Sequence, residues 1–308
     1  HDMQYVFTKV KCLFFTSFFL IAFSSLNAQS LFEEVEESSI PITTKRYTIP
    51  ASFKSFAIDL PALLNFVEQA PEEFSVDIRN SPVILSLPMP DGSMQDFCIV
   101  KSAIMPADLS AKYPSIHSYL AQGLDDASAT ARLSISNNGF HAMIISASGT
   151  TYIDPFSINN SSHCIVYNKK DFYATNEKVR AAECFINEAQ SNAKAMVAGR
   201  SGDVLRVFKA AIACTGEYAQ FHANSSGDEA SVAALAAINV SINRVNVVFE
   251  REASFRLNLI ENNDLIVYVN SVTDPYSNSN ASSILAANQE NLDDLIGSAN
   301  YDIGHVFS

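Results

Sequence analysis

Residues 131–145 read Ala131-Arg-Leu-Ser-Ile-Ser-Asn-Asn-Gly-Phe-His-Ala-Met-Ile-Ile145. Apolar and polar side chains alternate before Asn137-Asn138-Gly139, and an apolar run resumes after it, which is the pattern of two antiparallel strands joined at an Asn-Gly turn. Gly149 and the run Thr151 to Ile153 predict a third strand. Upstream, Val83 to Leu87 leads through Pro88, Pro90 and Asp91-Gly92 to Phe97–Val100, a second hairpin with Pro-Asp-Gly turn chemistry. Phe74 to Ile78 alternates as a further strand, and one helix is expected near Ala107 to Leu120. The stretch from about 74 to 167 therefore reads as a β-rich domain.

The character changes after it. Asp171 to Asp203 is rich in Ala, Asn and Glu, reads as helical, and ends in Gly199-Arg200-Ser201-Gly202-Asp203. Two glycines around a basic residue make a flexible, protease-accessible joint, so the domain boundary falls there with Arg200 as the processing position. Val204 to Ala213 then reads as a strand, and Ser226 with Glu229 has the spacing of a capping box. Leu235, Ile238, Ile242, Val245 and Phe249 follow at helical spacing and predict one buried stripe. Phe255 to Leu259 and Leu265 to Val269 read as strands, Ala281 to Ile296 as a helix, and Tyr301 to Phe307 as a last strand. Alternating strands and crossover helices predict an α/β layer with parallel strands.

The N-terminus has the order of a secretory signal. Lys9 and Lys11 precede the apolar run Cys12 to Leu26, and Ala28 before Gln29 offers a cleavage point. The run is short for a bilayer span, so no stable membrane span is expected after signal removal and the protein is expected to be secreted. His1 and Asp2 precede Met3, and Ser308 directly follows an apolar stretch, which predicts coding sequence beyond both ends. Twenty Lys and Arg against 33 Asp and Glu give a net charge of -13, which argues against nucleic acid or an anionic membrane as partner. After signal removal Cys98, Cys164, Cys184 and Cys214 remain. They could form disulfides in an exported chain or stay free thiols.

No self-sufficient catalytic signature is present: there is no HExxH, GxSxG, glycine-rich phosphate loop or EF-hand loop. The histidines, among them His117, His141, His163, His222 and His305, lack the one-turn spacing that presents two imidazoles to one metal. His305 in its apolar strand reads as structural. The loop Thr273 to Asn280 has oxygen ligands around Asp274 that could serve calcium, and an Asx turn accounts for them equally.

Four stretches carry a family resemblance: Ala213-Cys-Thr-Gly-Glu-Tyr-Ala-Gln-Phe-His222, Ala233-Ala-Leu-Ala-Ala-Ile-Asn239, Asn243-Arg-Val-Asn-Val-Val-Phe-Glu-Arg-Glu252 and Ser298-Ala-Asn-Tyr-Asp-Ile-Gly-His-Val-Phe307. They are similar to the opening of the catalytic domain in secreted bacterial reprolysin-like metallopeptidases, the adamalysin branch of the metzincins. Met105-Pro-Ala-Asp-Leu-Ser-Ala-Lys-Tyr-Pro114, Gly123-Leu-Asp-Asp126 and Gly139-Phe-His-Ala-Met143 resemble the propeptide of the same proteins. The fold expected is thus two domains, a β-rich propeptide domain followed by the N-terminal α/β half of a metzincin-like catalytic domain. The boundaries are 1–28 signal peptide, 29–170 propeptide, 171–203 linker with processing site, and 204–308 the first part of the protease domain.

The resemblance implies a zinc endopeptidase acting on peptides or proteins, with its zinc ligands and general base in HExxHxxGxxH. None of those residues occurs here, so no catalytic or metal residue is assigned, and the chain is expected to be inactive alone. The missing zinc helix would cover an apolar face of 204–308. Cys184, just ahead of the joint, is the best placed propeptide thiol to occupy the zinc until activation, and a small buried hydrophobe or disulfide partner is its plainer reading. Two other readings stand beside this one. A secreted β-rich binding or adhesion module fits export and hairpins equally, whereas a serine or glycoside hydrolase lacks a nucleophile elbow and paired carboxylates.

Overall fold

The computed structural model describes residues 31–42, 44–158, 160–175, 204–223, 229–278 and 281–308. Its elements are β1 Phe32–Val35, β2 Lys54–Ile58, α1 Leu60–Val67, β3 Ile84–Pro88, β4 Met94–Lys101, α2 Ala107–Lys112, β5 His117–Gly123, β6 Thr130–Ser136, β7 Gly139–Ser146, β8 Gly149–Pro155, β9 His163–Asn168 and α3 Lys169–Thr175. There follow β10 Arg206–Cys214, α4 Gly216–Ala223, α5 Ala230–Ala253, β11 Phe255–Leu259, α6 Ala281–Leu295 and β12 Ile303–Phe307. The signal-peptide reading with Cys12 and Ala28, the joint with Arg200, Cys184 and Ser226 all lie outside the described residues.

Alternation along the first nine strands puts every second side chain on one face, and those residues share a core. The antiparallel order is β1-β2-β9-β8-β7-β6-β5-β4-β3. Phe56, Leu85, Phe97, Tyr119, Leu133, Phe140, Ile153 and Val166 come from eight of these strands and are all buried inside, with Leu63 and Val67 of α1 as a plug. The sheet curls until its edges approach. In the β3–β4 turn, a Cβ on Gly92 would meet the Glu34 carboxylate of β1 at 3.2 Å, so the result is a nearly closed barrel. At the β6–β7 hairpin, Ser136 pairs with Gly139, which takes φ +117 where a side chain would strain, while both asparagines keep negative φ.

The second architecture is a parallel three-stranded sheet, ordered β11-β10-β12. Ala210, Ile212 and Cys214 of β10 face α5, while Ala211 and Ala213 face α6 with Val306 of β12. Both faces of this sheet are covered by helices. The open apolar layer expected of 204–308 is therefore not on the sheet, and Phe221, Val245 and Val248 on α4 and α5 are exposed instead. Barrel residues Ile104, Met105, Leu109 and Ile116 are buried in the same core as α5. Leu31–Ser308 accordingly form one compact unit, in which the β-rich and α/β parts are two architectures sharing a core.

Several local expectations are corrected. The helix near Ala107 stops at Lys112, and His117 to Leu120 belong to β5, where Ser118 and Tyr119 alternate as a strand requires. Phe74 to Ile78 is no strand: Phe74 sits at φ +66, which breaks extended geometry. Leu265 to Val269 forms no strand either, since a 3-10 turn spans Asn263–Ile266 and only Val267 bridges to Cys214. Glu229 is itself the N-cap residue of α5, without a side-chain cap, so it does not play the interior role of a capping box. Cys98, Cys164 and Cys214 are buried free thiols.

Candidate functional site

Helix α5 carries two stripes. Leu235, Ile238 and Ile242 enter the α/β core, and Asn239, Asn243 and Asn246 are buried beside them. A buried amide must find partners, and each does. Asn239 exchanges hydrogen bonds with Ser118 on β5 (2.9 and 3.1 Å). Asn243 donates to the Leu133 carbonyl (2.7 Å) and to Ser134 (2.8 Å) on β6. Asn246 clasps the backbone of Leu257 on β11, accepting from its N–H and donating to its carbonyl, both at 2.8 Å. By length and composition α5 could cross a membrane, but this buried stripe marks it as the core helix between barrel and sheet.

One turn further along α5 the seam becomes ionic. Arg132 of β6, with no exposed side-chain surface, donates to Glu250 of α5 (2.5 Å), to Ser102 (2.9 Å) and to Asn243 (3.2 Å). Arg256 of β11 bonds the same Glu250 and makes a two-pronged pair with Glu73 on the barrel side (2.7 Å twice). Two arginines and two glutamates thus alternate, one of each from either architecture. Burial would raise the Glu73 carboxyl, but Arg256 and Ser102 outweigh it and hold it below its ordinary value.

Beside the seam lies a cleft of about 810 Å³, walled by β7 and β8 on one side and α4 and α5 on the other. Asp154 sits in its floor. It accepts from Tyr167 (2.7 Å), pairs with His141 Nδ1 (2.8 Å) and is bonded by Arg244 of α5. Burial opposes its charge, yet Arg244 and His141 hold it ionised and well below the usual carboxylate range. Burial in turn keeps His141 neutral by lowering its pKa, and lowers His222 to about 4. The His141–Asp154 pair ties β7 to β8 and, through Arg244, to α5.

Residues 204–308 match the family model of the reprolysin-like metallopeptidases, family M12B. The matched segment is the parallel sheet with α4, α5 and α6, about a third of the chain, and no curated protein matches. M12B proteins use zinc, and the residues present here do not fit it. His222 packs against the rings of Tyr218 and Phe221 (4.5 and 5.0 Å), His305 lies on the edge strand against Phe307, and His141 is committed to Asp154. Among the described residues, no three His, Cys, Asp or Glu side chains are grouped to hold a metal ion. Asp274 spends one oxygen on the Gly216 N–H (2.7 Å) and the other on the Tyr276 N–H (2.9 Å), the Asx-turn role, which leaves calcium without support. Sequence reasoning missed Glu73, Arg132, Asp154, Arg244, Glu250 and Arg256. Their only signal was charge placed within otherwise apolar strands and on the polar side of α5.

Proposed function

We propose that this chain is the N-terminal part of a secreted zinc endopeptidase precursor, with residues 29–170 as propeptide and 204–308 as the first part of the protease domain. The observation that carries the reading is the reprolysin-like match over 204–308, whose boundary coincides with the start of the parallel sheet. In this reading the signal is removed after Ala28, the chain is cut at Arg200, and Cys184 supplies a thiolate to the zinc before activation. Zinc binding and water activation belong to an HExxHxxGxxH helix encoded after Ser308, and these 308 residues hydrolyse nothing. The barrel's part is to hold α5 and β11 in place through the seam, since Arg132, Glu73 and Ser118 reach groups of the protease segment that would otherwise be buried unpaired.

The test is expression of the complete reading frame. The expected product contains one zinc per chain and cleaves peptides after removal of residues 29–200, with activity lost to a chelator and restored by zinc. A reading frame without the zinc motif, or a product without chelator-sensitive hydrolysis, removes the peptidase reading.

A further inference from the structure

The cleft beside α5 is walled by Ala237, Val240 and Val248 of the helix, Phe221 of α4, and Tyr152 and Phe172 on the barrel side. The charges in its floor are paired with one another, Arg244 and His141 with Asp154, so its surface suits an apolar cover and not a counter-ion. Both ends of one stretch of chain meet this cleft. Helix α3 places Lys169 and Phe172 in its wall and ends at Thr175. The chain returns where the Arg206 N–H bonds the Ser254 carbonyl (3.0 Å), just past Phe249, which also lines the cleft from α5. The connector between them, residues 176–203, lies outside the described residues, and its sequence carries a pattern. Val179, Ala182, Ile186, Ala189, Ala193 and Met196 recur at spacings of 3, 4, 3, 4 and 3, which gathers them in one stripe of a helix. Arg180, Cys184, Asn187, Ser191 and Lys194 fall on the opposite side. A helix of this kind draws its stability from burying its stripe.

We propose that residues 179–196 dock along the cleft as an amphipathic helix, with the stripe from Val179 to Met196 against α5 and α4. The lengths agree. At 1.5 Å per residue this helix spans about 26 Å, and the cleft follows α5 from Ala236 to Phe249 over about 20 Å. Three of the six stripe residues are alanines, which let two helices approach closely between the aromatic walls. The docked stripe covers Phe221, Val245 and Val248, the large apolar residues that line the cleft and are otherwise exposed. So placed, the connector joins the barrel to α4 and α5 a second time, beside the ion-pair seam, and turns Cys184 outward. The cleft and the connector alone carry this, whether or not the chain is a peptidase precursor.

Hydrogen–deuterium exchange of the whole chain, read by mass spectrometry, tests the docking. Amides of 179–196 are expected to exchange about a hundredfold more slowly than an unstructured chain. Val248→Asp in the cleft wall and Ile186→Asp in the stripe are each expected to remove that protection while the β4–β7 amides stay protected, and Ser191→Asp, on the opposite side, to leave it. Exchange of wild-type 179–196 at the unstructured rate overturns the proposal without any variant. So does protection that survives Val248→Asp, or protection that rises with protein concentration and makes a second copy's connector the occupant. Thiol labelling needs no change in the cleft: Cys184 is expected to react with a maleimide in the folded chain, and a cysteine in Ile186→Cys to react about tenfold more slowly. Equal labelling of the two positions overturns the proposal.

Discussion

Asp154 and Glu73 are the carboxylates whose charge the fold depends on, and His141 and His222 are imidazoles kept neutral by burial. The signs of these shifts agree. Below the ordinary histidine value of 6.5 the unfolded chain takes up protons that the folded chain refuses, so stability falls from that pH down through about 4, where His222 protonates. Asp154 and Glu73, held below their ordinary values, contribute stability that is full above those values and lost as pH falls through the folded ones. The melting temperature is expected to be flat from pH 8 to 7 and to fall between 6.5 and 4, with His141→Gln and His222→Gln together making that limb shallower, the rest coming from His117, His163 and His305, which burial also lowers. An unchanged melting temperature between pH 7 and 5 contradicts the assignment. At the seam, Arg132→Met leaves Ser102 and Asn243 without their donor and weakens the compensation of Glu250. A cost of about 3 kcal/mol is expected, read as a melting temperature roughly 10 °C lower. Restoring part of it with Glu250→Gln in the same chain would separate charge burial from lost packing.

At the scale of elements, the hairpins, β10, β11, the long helix and the last strand were legible, because period and turn chemistry are local. The buried polar stripe of α5 was not. Spacing alone sends Asn239, Asn243 and Glu250 to solvent, and only the barrel packed against that side makes them interior. Leu265 to Val269 failed for a related reason. Beyond the Ala210–Leu259 pair, the edge of β10 is taken by the Asn263 side chain, which accepts from Ile212 N–H (2.8 Å) and donates to its carbonyl (2.9 Å), and so replaces a strand by one amide. Asn246 does the same to Leu257. Asn263→Ala and Asn246→Ala each strip partners from two buried backbone groups, and a loss of about 2–3 kcal/mol per variant is expected in urea unfolding. A change under about 0.5 kcal/mol, the size of an ordinary surface substitution, would mean that the clasps do not hold the strands.

At the scale of the whole molecule, the sequence divides at the joint, whereas the packing does not. Ile104, Met105, Leu109 and Ile116 complete the core under α5, and the Arg132–Glu250–Arg256–Glu73 chain of ion pairs crosses the same boundary. This coupling was illegible because the ion-pair partners that meet across the boundary, Arg132 with Glu250 and Glu73 with Arg256, lie more than a hundred residues apart. In the proposed precursor, a cut at Arg200 is therefore expected to sever the chain without releasing the barrel. The decisive measurement takes the product of the complete reading frame, the proposed zymogen, cuts it at Arg200, and follows both peptidase activity and co-elution in gel filtration. The barrel is expected to co-elute with the protease domain and the cut enzyme to stay latent, while Glu73→Gln, which loosens the seam, becomes active on cutting. A cut wild-type protein that separates at once into two folded pieces, or that shows no zinc-dependent activity with or without the barrel, would contradict the account.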